Sequence, residues 1–275
     1  MKLTNFKIII SGSTIETYRY QEKAVSYDFV RFQKGVSIFE QNLSVDEKLE
    51  KKLLSRKSSM LRSRSTLRRL VNSNAWRWLK PSGLSYLPVF VTLTFKDDVR
   101  NSKVANKIFS DFIRRFNYYI TDGEKKSFLK YVVVIEFQDK NRGGVVHYHV
   151  MFFNMKKVWT DTIAKIWGQG FVHIKKIDRV DNVGAYMSKY MSKHFEDDRL
   201  DGKRRYFPSN DLFRPTEIRD QNKALLIEKL IPEKYLAYEK DFTSVYLGQV
   251  KYRQYKLDKR QSLSDIIPNL RELLK

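Results

Sequence analysis

An α+β fold is what this 275-residue sequence predicts, and three observations carry the prediction. Strand-like apolar runs and helix-like periodicities follow one another between residues 88 and 190 in an order unlike the strict alternation of a doubly wound domain. Two consecutive apolar runs, "KYVVVIEF" and "VVHYHVMFF", are separated only by "QDKNRGG", whose glycines suit a hairpin turn. Extended-looking segments also lie near both ends of the chain, beside a long stretch of helical periodicity.

Residues 6–20, "FKIIISGSTIETYRY", join a β-branched run to an alternating segment through a Gly-Ser turn, so residues 1–44 read as an N-terminal β-hairpin extension. In residues 45–84, Leu49, Leu53, Met60, Leu67, Leu70 and Val71 recur at roughly helical intervals. From Lys51 to Lys80 there are ten Lys or Arg and no Asp or Glu. A solvated helical face is the bland explanation. A basic run without compensating acids fits a phosphate-contacting surface better, making Lys51, Lys52, Arg56, Lys57, Arg62, Arg64, Arg68 and Arg69 candidate DNA contacts.

"PVFVTLTF" reads as a strand, and the next segment carries Val104, Ile108, Phe112, Ile113 and Phe116 at spacings of a helix packed on a sheet. The two strands about "QDKNRGG" follow, then a helix around "TDTIAKIW", a strand "GFVHIKKI" and a helix beginning near Val180. Residues 197–215 are charged and turn-rich, 234–257 mainly extended, and 265–275 a short terminal helix.

Composition narrows the chemistry. With 53 Lys and Arg against 31 Asp and Glu the formal net charge is +22, which attracts polyanions and makes nucleic acid the leading partner. The absence of cysteine excludes disulfides, thiol catalysis and thiolate zinc sites, so a metal would need histidine or carboxylate ligands. The longest apolar runs fall far short of a bilayer span, and the N-terminus lacks an export signal, so a soluble protein with no membrane partner is expected. No P-loop pattern is found, and unwinding would fall to another enzyme.

Two small motifs carry reactive groups. His147 and His149, two residues apart on a strand, point to one face while Val146, Tyr148 and Val150 point to the other. If the "QDKNRGG" connection closes a hairpin, Glu136 reaches the same face, and a His, His, Glu set leaves metal positions open for a phosphate oxygen. Downstream, "DNVGAYMSKYMSKHF" sets Tyr186 and Tyr190 one helical turn apart, with Lys189 and Lys193 each three residues after a tyrosine. Val183, Met187 and Met191 form a separate apolar stripe on which the helix packs while its tyrosines face a groove. Taken singly, each motif fits packing better than chemistry.

Together, and in this order, "FVTLTF", "HYHVMFF" and "YMSKYMSK" resemble the three motifs of the HUH endonuclease superfamily, specifically the two-tyrosine rolling-circle replication initiators of bacterial plasmids and phages. The resemblance is clearest over residues 87–195. It implies a catalytic core over residues 85–196 with a central antiparallel β-sheet flanked by helices, followed by a C-terminal extension over 197–275. It further implies that His147, His149 and Glu136 ligate a divalent metal, Mg²⁺ or Mn²⁺, that Tyr186 and Tyr190 are the nucleophiles, and that Lys189 and Lys193 assist at the phosphate. The implied reaction is metal-dependent nicking and strand transfer through a 5′-phosphotyrosine link. The implied partners are origin DNA, single-stranded or hairpin, and a host helicase and DNA polymerase, in the cytoplasm of a bacterial host. A noncatalytic DNA-binding regulator and a related transposase or relaxase are the competing readings. Trp76 and Trp78 beside Arg77 fit base stacking or core packing equally.

Overall fold

The computed structural model describes residues 2–26, 44–178, 180, 182–190, 199, 203–244, 247–270 and 272. In chain order the elements are β1 (Lys2–Ser11), β2 (Thr14–Ser26), α1 (Val45–Asn74), β3 (Val89–Thr94), α2 (Ser102–Ile120), β4 (Tyr131–Gln138), α3 (Asp139–Arg142) and β5 (Val145–Phe152). There follow α4 (Thr160–Trp167), β6 (Val172–Lys176), α5 (Val183–Ser188), β7 (Tyr206–Pro208), β8 (Thr216–Ile218), α6 (Gln221–Leu230), β9 (Leu236–Ser244), β10 (Gly248–Lys256) and α7 (Leu263–Ile266). Helices and two antiparallel five-stranded sheets make an α+β fold, as expected.

The chain divides into two compact units, Arg56–Phe213 and Met1–Ser55 with Arg214–Lys275. In the first, the sheet runs β6-β3-β5-β4-β7 with all neighbours antiparallel. Alternation along the strands gives this sheet two unlike faces. One face carries Val91, Leu93, Val133, Ile135, Tyr148 and Val150, buried together with Phe109, Phe112 and Phe116 of α2 and Ile163 and Trp167 of α4. The other carries Phe90, Val132, Val134 and Met151, buried with Leu67, Leu70 and Val71 of α1 and Val183 and Met187 of α5. A sheet apolar on both faces must be covered on both, which is why helices lie on either side.

The buried stripe of α2 is Ala105, Phe109, Phe112, Ile113, Phe116 and Ile120. Val104, read from the sequence as part of it, is 50% exposed. The stripe begins one residue later, and a shift of one residue turns a side chain by about 100° around a helix. In α1, Met60, Leu67, Leu70 and Val71 are buried, whereas Leu49 and Leu53 are exposed. The apolar contacts of this helix therefore concentrate toward its C-terminal end.

The "QDKNRGG" connection is tighter than a loop. It makes the single helical turn α3, closed by Gly143 (φ 53°) and Gly144 (φ 87°), and returns the chain as β5. Two successive positive φ values are accessible to glycine and strained for other residues, so this pair sets where β5 re-enters the sheet.

In the second unit the sheet runs β8-β1-β2-β10-β9. The segments read as separate N- and C-terminal extensions share it: β10 pairs with β2, and β8 with β1. Alternating patterns identify strands but not their partners. Phe6, Ile8, Ile15, Ile218 and Tyr255 on one face of this sheet pack with Ala224 and Ile227 of α6 and Leu263 of α7. No helix among the described residues is long and apolar enough to cross a membrane.

Candidate active site

The histidine pair lies on the central strand of its sheet, and register assigns its neighbours. Across β4, Glu136 is the partner of His147 and Val134 that of His149. Across β3, Thr94 faces His147 and Thr92 faces His149. Antiparallel partners project to the same side of a sheet, so Glu136, His147, His149 and the two threonines share one face. The short α3 connection brings the carboxylate there, as the hairpin reading anticipated.

Glu136, His147 and His149 each offer one ligand atom, and these atoms lie within 4.8 Å of one another. The group could hold a metal ion. Glu136 and His149 are buried and His147 partly so, and Nε2 of His149 is in direct contact with Oε2 of Glu136. Two imidazole nitrogens and one carboxylate oxygen form a donor set that suits Mn²⁺ and similar divalent ions, and three protein ligands leave coordination positions open. Thr92 Oγ1 lies 3.2 Å from Nδ1 of His149. That hydrogen bond fixes the ring orientation and leaves Nε2 directed at the carboxylate, the usual function of an outer partner of a ligating histidine.

Above this face runs α5. Asn182 caps it, accepting from Ala185 N–H at 2.8 Å. Asn72 of α1 donates to Asn182 at 3.1 Å and accepts from Gly184 N–H at 2.8 Å. The two helices meet closely at Gly184, where an added Cβ would come within 2.1 Å of the Arg68 carbonyl oxygen. This contact explains the glycine two residues before the first tyrosine. It also gives the end of the basic helix a second function, holding the tyrosine helix.

Val183 and Met187 are buried, as the stripe reading requires, and Tyr186 and Tyr190 are partly exposed. Tyr190 lies just beyond α5 in a 3₁₀ turn. Its ring centroid is 4.0 Å from that of His149, and its hydroxyl donates to the Tyr186 oxygen at 3.3 Å. Phe90, buried on β3, joins the group, stacked with His149 at 5.6 Å and with Tyr190 at 5.1 Å and edge-on to Tyr186 at 5.2 Å. Thus the two motifs, about 40 residues apart in sequence, meet in one aromatic cluster. Burial pushes the Tyr190 hydroxyl well above the ordinary phenol range, with Tyr186 and the Glu136 carboxylate adding to the shift. Tyr148, between the histidines, points to the opposite core, and its hydroxyl is raised by burial alone.

Lys189 is exposed at the C-cap of α5. Lys193, with Met191 and His194, lies outside the described residues. The structure sets a different ammonium against the pair: Nζ of Lys175 on β6 lies 5.1 Å from the Tyr186 ring centroid. Lys175 pairs with Phe90 across β3 and His173 pairs with Thr92, so both project from the edge strand on the histidine side. His173, read from the sequence as a strand or surface residue, is an exposed strand residue in the same row as Thr92 and His149. Neither Thr92 nor Lys175 was marked by sequence reasoning, and the only signal was their alternation on strands whose adjacency was unknown.

Of the basic candidates on α1, Lys51, Lys52, Lys57 and Arg62 are exposed and Arg56, Arg64, Arg68 and Arg69 partly so. Arg62 and Arg69, seven residues apart, project from one side of the helix, roughly opposite the Leu67 and Val71 side. Trp78 belongs to the packing: Nε1 donates to Asn74 at 3.2 Å, and its ring lies 5.1 Å from that of Phe213.

Fold and site together define an α+β unit in which an acid and two histidines on a central antiparallel strand pair confront two tyrosines on a crossing helix. The model of the ORF2-type replication-associated protein family matches residues 88–195, the span that contains β3, the histidine strand and the tyrosine helix. That match is consistent with a replication initiator and points to interaction with DNA. Neither the curated proteins nor the solved structures compared with the chain give a match.

Proposed function

We propose that this protein is a rolling-circle replication initiator of the two-tyrosine HUH type, a site-specific DNA nickase and strand transferase. The observation that carries the proposal is the placement of Tyr190 against His149, within the cluster that joins both tyrosines to the Glu136, His147 and His149 group. Packing alone does not require two phenols, two imidazoles and a carboxylate to converge on a partly exposed face.

Glu136, His147 and His149 would hold the ion, for which Mg²⁺ or Mn²⁺ suits the donor set. Bound there, such an ion supplies polarisation of a phosphoryl oxygen and offsets charge in the transition state. Thr92 keeps the His149 ring in its ligating orientation. Phe90 restricts both tyrosine rings, so the reacting hydroxyls are oriented before DNA arrives.

In the nicking step a phenol oxygen of Tyr186 or Tyr190 bonds to phosphorus, the P–O3′ bond breaks, and the phenol proton is lost as the departing 3′ oxygen gains one. The products are a 5′-phosphotyrosine link and a free 3′-OH, which a host polymerase extends while a host helicase unwinds. The hydrogen bond between the tyrosines lets whichever oxygen loses its proton keep the other hydroxyl as donor. In the second step the remaining tyrosine attacks the regenerated junction, and the freed 3′-OH of the displaced strand attacks the first phosphotyrosine, which closes that strand into a circle. Lys175 is suited to hold phosphate charge beside Tyr186, with Lys189 and Lys193 the other lysines assigned to this task. The basic side of α1 supplies sequence-independent affinity for the DNA backbone.

The test is incubation of the protein with labelled single-stranded origin DNA in Mn²⁺ or EDTA, comparing wild type, Tyr186→Phe, Tyr190→Phe and the double variant. The expected result is a protein-linked DNA product that requires metal and is lost in the double variant. Intact DNA despite tight binding to a confirmed origin would overturn the proposal in favour of a noncatalytic regulator.

A further inference from the structure

The second sheet presents a face that the nicking reaction does not use. Along β9, "YEKDF" alternates acid with aromatic or lysine, and strand geometry sorts these residues onto opposite sides. Glu239 and Asp241 are register partners of Arg253 and Lys251. Glu239 forms ion pairs with both bases, so the acids of this strand are gathered and neutralised on one side.

The other side receives Tyr238, Lys240 and Phe242, opposite Gln254, Tyr252 and Val250 of β10. Tyr252 in turn faces Tyr18 of β2, and Tyr18 faces Lys7 of β1. The rings form a continuous series: Tyr238 to Tyr252 at 6.1 Å, Tyr252 to Tyr18 at 5.0 Å, and Tyr18 to Tyr20 at 6.4 Å. Lys7 Nζ lies 5.0 Å from the Tyr18 centroid. The hydroxyls of Tyr18 and Tyr252 both donate to the buried carboxylate of Glu16, at 3.2 and 3.0 Å, which fixes the two rings from within the sheet.

Exposure is concentrated at the β9 end, where Tyr238 is 49% and Phe242 41% exposed, while Ile9 and Ser11 toward β1 are buried. Exposed rings held in place on a sheet, interleaved with lysine and cleared of acids, match the chemistry of a stack of bases on a charged strand. Base stacking is sequence-tolerant and needs little ordering when the rings are already fixed. A protein partner would be better served by a complementary acid pattern or by aliphatic anchors, and this surface offers lysine and aromatic rings.

We infer that this face of the β1-β2-β10-β9 sheet is a binding platform for single-stranded nucleic acid, with Tyr238 and Phe242 stacking on bases and Lys240 contacting the backbone. The platform would hold a strand independently of chemistry at Tyr186 and Tyr190.

The experiment measures fluorescence anisotropy of a labelled oligothymidylate of about 15 nucleotides with the full-length protein in EDTA, across a salt series. Wild type is compared with Tyr238→Ala, Phe242→Ala, Lys240→Ala and, on the opposite face, Asp241→Asn. A 2-aminopurine oligonucleotide reports stacking directly, and circular dichroism checks that the variants keep the fold. The expected result is weakening of about fivefold or more for each aromatic variant, with loss of 2-aminopurine quenching and no change in salt slope. Lys240→Ala should instead flatten the slope of log affinity against log salt by about 0.7, and Asp241→Asn should bind no more weakly than wild type. Folded aromatic variants with wild-type affinity and quenching would overturn the inference, as would equal losses on single-stranded and duplex DNA. Adduct formation in Mn²⁺ tests the nickase proposal, so either idea can fail while the other stands.

Discussion

Asn72 of α1 accepts the backbone N–H of Gly184 at 2.8 Å and donates to Asn182 at 3.1 Å. One side chain from the basic helix therefore holds the start of the helix that bears the tyrosines. Replacing Asn72 with alanine would leave a buried N–H without this acceptor, at a cost of about 1–3 kcal/mol. Chemical denaturation should show that loss. Adduct yield should fall with it, because the phenols would no longer be held against His149. Wild-type stability and yield in the alanine variant would remove Asn72 from this role.

Gly184 offers a steric counterpart. An added methyl would come within 2.1 Å of the Arg68 backbone carbonyl, which cannot swing aside as a side chain could. Gly184→Ala should therefore destabilise the Arg56–Phe213 unit by about 1–3 kcal/mol, as overpacking does. A shift in denaturation midpoint without a change in slope is the expected readout.

At the acid and histidine group, His147→Ala, His149→Ala and Glu136→Gln should each abolish measurable Mn²⁺ binding by calorimetry while leaving DNA binding in EDTA intact. Thr92→Val removes the hydrogen-bonding group 3.2 Å from His149 Nδ1 and should weaken metal affinity about 10- to 100-fold. Unchanged affinity in the valine variant would show that the ring is held by Phe90 and Tyr190 alone.

Lys175 should matter to chemistry more than to stability, since it is exposed and lies beside Tyr186. Lys175→Met is expected to lower the rate of adduct formation about tenfold or more, within the range of a charged donor removed from a developing charge. Lys175→Arg should restore part of it, and the melting temperature should stay unchanged in both. Equal rates for the methionine variant and wild type would return the role to Lys189 or Lys193.

The basic side of α1 predicts a salt effect. Arg62→Ala combined with Arg69→Ala should reduce the slope of log affinity against log salt by about 2 on duplex DNA, near one unit per phosphate contact. The loss should be the same for unrelated sequences, because backbone contacts carry no base information.

Much of the site is local in origin and is therefore legible in the sequence. His147 and His149 share a face because a strand repeats every two residues, and Tyr186 and Tyr190 because a helix nearly repeats every four. Glu136 could be added because only a short connection separates its strand from the histidine strand. Reading failed where one residue of phase mattered: the buried stripe of α2 starts at the small Ala105, and Val104 faces solvent. Leu49 and Leu53 fit a helical period but are exposed, since a period says that a face exists and not that anything covers it.

By itself, then, the sequence determined the reactive groups, their sharing of faces within each element, the positive charge and the α+β class, all of which follow from composition and from backbone periods of two and 3.6. Only the tertiary structure decided that β6 lies beside β3, bringing Lys175 to Tyr186, that Asn72 meets Gly184, and that the N- and C-terminal strands share a sheet. Those adjacencies join residues up to more than two hundred positions apart. They are set by which apolar faces bury one another across the whole chain, a choice that no local pattern encodes.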